Sequence, residues 1–195
     1  MGSKYPIFSF DFTGAKRGVL PASYDYLRLE GRMQYRLNLP PIGYSQLMLE
    51  GGKIFGKVPY LLLKLHEGNG TYFYDRYAFS CMNFYEFSSD AWISFFYEHH
   101  FNGFLLGRVP LLKKLNWREV FVFKGVYGTL SARNDGSLPN TKAVMLFPAG
   151  MSSVEHPYFE TGFGIENIFR LLRVDCIWRL THHRAVPGLS IPTFT

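Results

Sequence analysis

Between Tyr26 and Leu39 the chain reads YLRLEGRMQYRLNL, and every second residue changes character. Leu27, Leu29, Gly31, Met33, Tyr35, Leu37 and Leu39 share one side of an extended backbone, and Arg28, Glu30, Arg32, Gln34, Arg36 and Asn38 share the other. A helix would mix the two sets around its circumference, so the period of two predicts a strand. Globular strands average about 5–6 residues, whereas a tilted bilayer-spanning strand takes roughly 9–11, and this one is long enough to cross. The polar ladder Arg28, Glu30, Arg32, Gln34 and Arg36 would be the solvated face of a soluble sheet. In a closed barrel it would line the lumen, with alternating signs pairing across neighbouring strands.

The pattern recurs. In YPIFSFDF, Phe8, Phe10 and Phe12 oppose Ser9 and Asp11; in LRVDCIWRLTH, Leu172, Val174, Cys176, Trp178 and Leu180 oppose Arg173, Asp175, Arg179 and Thr181. Further strands are expected over 44–52, 76–87, 91–101, 118–130 and 158–165, about eight in all, with a possible last one in GLSIPTFT. PPIG (40–43) and SSD (88–90) read as tight turns, and 13–23, 53–75 and 102–117 as long loops; residues 131–157 break the rhythm. Short turns alternating with long loops describe an up-and-down barrel. The expected fold is therefore an all-β, antiparallel up-and-down transmembrane barrel or half of a larger one. It would form one unit over residues 1–195, strand-rich from 5 to 183 with a tail at 184–195.

Composition agrees with this reading without imposing it. Apolar residues make up 47% of the chain, aromatics 18% and charged residues 18%, against about 25% charged in ordinary soluble domains. The best apolar run, VPYLLLKLH, is broken by Lys64 and is too short for a membrane helix. The net charge of +6 is spread singly except at Lys16-Arg17 and Lys113-Lys114, so no nucleic-acid partner is expected. Cys81 and Cys176 have neither CxxC spacing nor a disulfide framework around them. MGSKYPIF lacks the apolar core of a signal peptide, so a fragment, or a chain not exported as it stands, is expected.

Two local features raise chemistry. IFGKVPYLLLKL (54–65) is echoed by LLGRVPLLKKL (105–115). Pro59, Leu61 and Lys64, and Pro110, Leu112 and Lys113, suit short loop helices at a membrane interface or on a barrel rim, both at the same end of the sheet. The run Glu98-His99-His100 suggests a metal site or general base. In a strand, however, Glu98 and His100 share a face and His99 points away, so the three cannot converge on one ion. Glu98 and His100 remain weak metal candidates; no cofactor and no catalytic residue is assigned, and the chain is not expected to be an enzyme. Two rivals stay open: a soluble barrel holding an apolar ligand, and a lipid hydrolase using His99 or His100 with a serine from another strand.

Four stretches, GKIFGKVPY, TYFYDRYAFSCMNFYEF, EHHFNGFLLGRVPLLKKLNWREV and PYFETGFGIENIFRLLRVDCIWRLTHH, together carry a family likeness. They resemble the C-terminal part of an uncharacterised Gram-negative outer-membrane protein family. Its long members carry a signal peptide, a carboxypeptidase-regulatory-like β-sandwich, a middle region and a C-terminal β-barrel. The resemblance implies an outer-membrane location, contact with lipid and with the rest of a larger barrel, and a role in envelope transport, assembly or surface anchoring. It brings no catalytic residues. On this resemblance the 195 residues are expected to correspond to the final portion of such a member, with Phe194 one residue short of the terminal position where an aromatic is expected.

Overall fold

A computed structural model describes residues 5–18, 24–69, 74–135 and 150–182. Among the described residues ten strands are formed: β1 (Ile7–Ala15), β2 (Tyr26–Asn38), β3 (Tyr44–Gly56), β4 (Lys64–Leu65), β5 (Phe87–Ser89), β6 (Ala91–His100), β7 (Arg118–Thr129), β8 (Ser152–Ser153), β9 (Tyr158–Ile168) and β10 (Leu172–Arg179). Seven of them make one sheet in the order β1-β2-β3-β6-β7-β9-β10, every pair antiparallel and each strand beside its predecessor in that sheet. That is an up-and-down meander with β1 and β10 at its edges. A second sheet, β4-β5-β8, is small, and its β5–β8 pair is parallel. The only α-helix among the described residues is α1 (Pro110–Lys113), and no helix among them is long and apolar enough to cross a membrane.

The long alternating segments form strands because the register keeps each character on one side. Arg32 lies opposite Glu50, Glu50 opposite Ser94, Phe96 opposite Lys124, and Lys124 opposite Glu160. One face therefore collects the charges. The other collects Phe10, Leu29, Leu49, Phe95, Phe123 and Phe163, and its only charged residues within the strands, Lys53 and Glu119, sit near strand ends. Gly43 closes the β2–β3 turn with φ 105°, where a Cβ would lie 1.8 Å from the His100 carbonyl oxygen. Gly164 leaves room for Asp175, whose Oδ1 lies 2.0 Å from where a Cβ would stand.

The charged face is covered by the segment between β3 and β6. It leaves Gly56, makes a 3-10 turn at Tyr60–Leu62, passes through β4, and returns through β5. Phe79, Met82 and Phe87 of this segment pack with Met48, Phe96, Val126, Val154 and Tyr158. Burying each large side chain contributes about 1.5–3 kcal/mol, so the apolar patch is a substantial anchor. A second cluster, Ile54, Val58, Leu63 and Trp92, fixes the segment's first turn.

Several expectations are corrected here. Residues 76–87 do not form a strand of the large sheet; only Phe87–Ser89 is extended, as β5, and the remainder is turns folded over the charged face. Ser88–Asp90 is accordingly no tight turn. Seven strands, not eight, make the large sheet among the described residues, and GLSIPTFT lies outside them. With one sheet strand, β6, between the two echoed segments, Pro59 and Pro110 fall at opposite ends of the sheet. The copies also differ in surroundings: Pro59 and Leu63 are buried and Lys64 Nζ binds Glu50 at 2.7 Å, leaving Leu61 exposed, whereas Pro110 and Lys113 are exposed. The first copy is thus a strap on the charged face and no interfacial helix.

Candidate functional site: a charged sheet face holding an inserted segment

Lys124 and Glu160, a cross-strand pair of β7 and β9, are both completely buried. The Lys124 Nζ donates to the carbonyl oxygens of Asp75 at 3.0 Å and Ala78 at 2.5 Å, and lies 4.7 Å from the Tyr74 ring. Glu160 accepts from the backbone N–H of Ser80 at 2.8 Å, from that of Cys81 at 2.7 Å, and from the Tyr158 hydroxyl at 2.5 Å. The ammonium thus takes carbonyls and the carboxylate takes N–H groups from one stretch, 75–81. A non-helical, non-sheet segment can be buried only when its backbone polar groups find such partners.

Around this pair runs a ring of ion pairs. Glu98 binds Arg76 of the inserted segment at 2.5 Å and Arg173 of β10, and Arg173 also binds Asp175 at 2.8 Å. Arg179 of β10 binds Glu86 at 2.6 Å, while Glu86 in turn accepts the Asn83 N–H at 2.9 Å. On the β3 side, Glu50 joins Arg32 and Lys64, each at 2.7 Å. A cleft of about 340 Å³ remains between the segment and β2–β3, with Arg32, Glu50, Lys64 and His66 on its wall. His66 Nε2 lies 3.0 Å from Ser89 Oγ; burial, reinforced by the Lys64 charge, pulls its pKa down to about 3. Burial, with Glu160 nearby, pushes the Cys81 thiol up to about 12, so it is not a ready nucleophile.

The residues singled out in the sequence fall as follows. Arg28, Glu30, Arg32, Gln34 and Arg36 all share the charged face: Arg28 pairs with Glu30 and lies over Trp92, Arg32 reaches Glu50, Gln34 touches Met48 Sδ at 3.7 Å, and Arg36 stacks on Tyr44 at 4.1 Å. Glu98 and His100 meet at 3.6 Å on that face, but His100 Nδ1 is held by Glu166 at 3.0 Å and Glu98 by two arginines. No group of three or more metal-ligating side chains suited to an ion occurs among the described residues. His99 points to the opposite face, as the strand period requires. There its Nδ1 lies 2.7 Å from Ser45 Oγ and its Nε2 donates to the Ile42 carbonyl at 3.0 Å. A carbonyl can only accept, so a proton sits on Nε2, and in the neutral ring Nδ1 accepts from the Ser45 hydroxyl. Both side chains are buried, and Tyr97 Oη also lies 3.0 Å from Ser45 Oγ.

Sequence reasoning missed Lys124, Glu160, Arg173 and Glu86 as a set. Each looks like one polar position in an alternating strand or loop, and what distinguishes them is partners 46 to 93 residues away. A charge on the same face as Phe96 and Tyr158, in strands otherwise rich in Val and Phe, was the one available signal.

The fold and this face define a class: an antiparallel up-and-down β-sheet, apolar on one side and charged on the other, with a long connection folded onto the charged side. Residues 1–132 match the C-terminal domain of the family of unknown function DUF5686, and the chain belongs to that family. The match takes in β1 to β7, including the whole inserted segment. No curated protein matches the chain.

Proposed function

We propose that this chain is the membrane-embedded part of an outer-membrane β-barrel protein serving envelope transport, assembly or surface anchoring. The observation that carries the reading is the sidedness of the sheet. The face turned away from the inserted segment is apolar across all seven strands, with Phe10 69%, Phe12 74%, Phe163 59% and Trp178 53% exposed. Such a continuous apolar surface suits hydrocarbon and is not the scattered exposure usual on soluble monomers. Phe95, Phe123 and Phe159 continue it as an aromatic row, Phe95 edge-on to Phe123 at 6.2 Å and Phe123 stacked on Phe159 at 5.7 Å between centroids. In this reading the charged face is the lumen, and the inserted segment fills it.

The edges β1 and β10 carry the argument further. Lipid cannot satisfy the N–H and C=O groups of an open edge, so both edges need partner strands in a membrane. They are supplied either by closure of the chain on itself or by the remaining strands of a larger barrel. The soluble ligand-binding alternative requires the apolar ladder to be enclosed, and the exposure of Phe10, Phe12 and Leu37 weighs against it. The hydrolase alternative keeps one specific observation, the Ser45–His99 hydrogen bond on the apolar face, and is tested below.

Refolding into detergent micelles, followed by gel mobility with and without boiling and by circular dichroism, tests the proposal. A heat-modifiable band with β-type dichroism, and aggregation on detergent removal, is the expected result. A folded monomer that persists in plain buffer would overturn it.

A further inference from the structure

The two ends of the sheet differ in charge. At the end that carries the β2–β3 and β9–β10 turns and the long 101–117 connection, Arg108, Lys113, Lys114, Arg118 and Arg170 are all exposed, and none forms an ion pair among the described residues. Of the acids there, Glu98 is held by arginines and Glu166 by His100, while Glu119 takes the Leu106 N–H through one oxygen and keeps its other, buried oxygen without a hydrogen-bond partner among the described residues. At the opposite end both signs are exposed, with Asp25 and Glu155 beside Lys16, Arg17, Lys53, Lys57 and Arg133. A solvated rim would have no reason to separate the signs in this way.

The basic end is also apolar. Leu105 is 54% exposed, Phe169 81% and Leu171 90%, with Val109 and Leu115 exposed beside them. These groups are held on a built platform. The 101–117 connection is pinned by Phe104 N–H to the Phe101 carbonyl, Gly107 N–H to the Gly103 carbonyl, and Lys113 N–H to the Val109 carbonyl. Asn102 and Asn116 take positive φ to close its two ends. Asn167 Nδ2, at the end of β9, donates to the Asn116 carbonyl at 2.7 Å, tying the strand end to the connection. The platform is continuous with the apolar sheet face through Leu172 and Val174, both exposed.

We infer that this end of the sheet is a binding surface for anionic glycerophospholipid: its cations take the phosphate headgroups and its leucines and Phe169 take the adjoining acyl chains. The inference rests on the membrane reading for its orientation and deepens it by naming the lipid. Charge complementarity selects the occupant, since the surface exposes five unpaired cations and the acids beside them are buried or half-buried, and a zwitterionic headgroup would bring its own unpaired ammonium against those cations. The first echoed segment lacks this property because Lys64 is spent on Glu50 and Leu63 is buried. The resemblance between the two strings therefore does not carry over to binding.

The test is native mass spectrometry of the whole chain, in detergent or in whichever buffer keeps it folded, titrated with dioctanoyl phosphatidylglycerol or dioctanoyl phosphatidylcholine. Phosphatidylglycerol adducts are expected at lower lipid concentration than phosphatidylcholine adducts. The triple variant Arg108→Gln/Lys113→Gln/Lys114→Gln should weaken them by about tenfold or more, while Lys53→Gln/Lys57→Gln at the other end leaves them unchanged. Equal retention of both lipids, or full phosphatidylglycerol binding by the triple variant, overturns the inference. The membrane reading is scored separately by the heat-modifiability experiment: a chain that stays folded in plain buffer yet binds phosphatidylglycerol through these cations would refute the barrel and keep the site.

Discussion

Replacing Glu160 by leucine should release the inserted segment while leaving the large sheet in place. The carboxylate accepts three hydrogen bonds, from the N–H groups of Ser80 and Cys81 and from the Tyr158 hydroxyl, and it has no exposed surface. Leucine fills a similar volume but accepts nothing. Each buried donor left without a partner costs about 1–3 kcal/mol. With some relief from entering water, a total of about 3–5 kcal/mol is expected. The apolar anchor of Phe79, Met82 and Phe87 remains, as do the sheet hydrogen bonds, so the loss falls on the local opening of residues 75–81. Because about 1.4 kcal/mol is a factor of ten, the open population should rise by roughly two to three and a half orders of magnitude. Limited trypsin digestion reads this directly as the rate of appearance of the fragment cut after Arg76, which in the native protein is ion-paired to Glu98. Glu160→Gln keeps one acceptor oxygen and should fall between the two. A wild-type rate of cleavage after Arg76 in Glu160→Leu would refute the view that this carboxylate holds the segment.

Two further outcomes follow from other contacts. His66 is buried and neutral, its pKa of about 3 lying below the ordinary 6.5 of the unfolded chain. Its contribution is therefore complete above pH 6.5 and is lost as the pH falls from there toward 3, about 2 kcal/mol by pH 5. The thermal midpoint should drop between pH 7 and pH 5, and less so in His66→Gln; an equal drop in both would assign the acid sensitivity elsewhere. Ser45 is only 4% exposed and shares its hydroxyl between His99 and Tyr97, so the refolded chain should not react with a fluorophosphonate probe. Labelling at Ser45 that disappears in His99→Gln would instead establish the hydrolase reading.

The strands were legible because alternation is a local property. Tyr26–Asn38 carries its two faces in its own residue order, and the same holds for 118–129 and 172–179, so both the sheet class and the sidedness of each strand can be read without any partner. The separation of His99 from Glu98 and His100 was equally determined, since neighbours in an extended chain must diverge. Residues 76–87 alternate well enough to pass for a strand, and here local pattern fails. Their backbone groups are taken by Lys124 and Glu160, and Phe79 and Met82 by the apolar patch on the sheet, so folding inward satisfies what pairing along an edge would have satisfied. That choice also moved the two echoed segments to opposite ends of the sheet. Tertiary structure alone decided which charges meet: Glu98 finds Arg76 and Arg173, 22 and 75 residues away in sequence, across strands whose order no local period specifies. Periodicity fixes which side of a strand a charge occupies, whereas the partner that compensates its burial is set by long-range register.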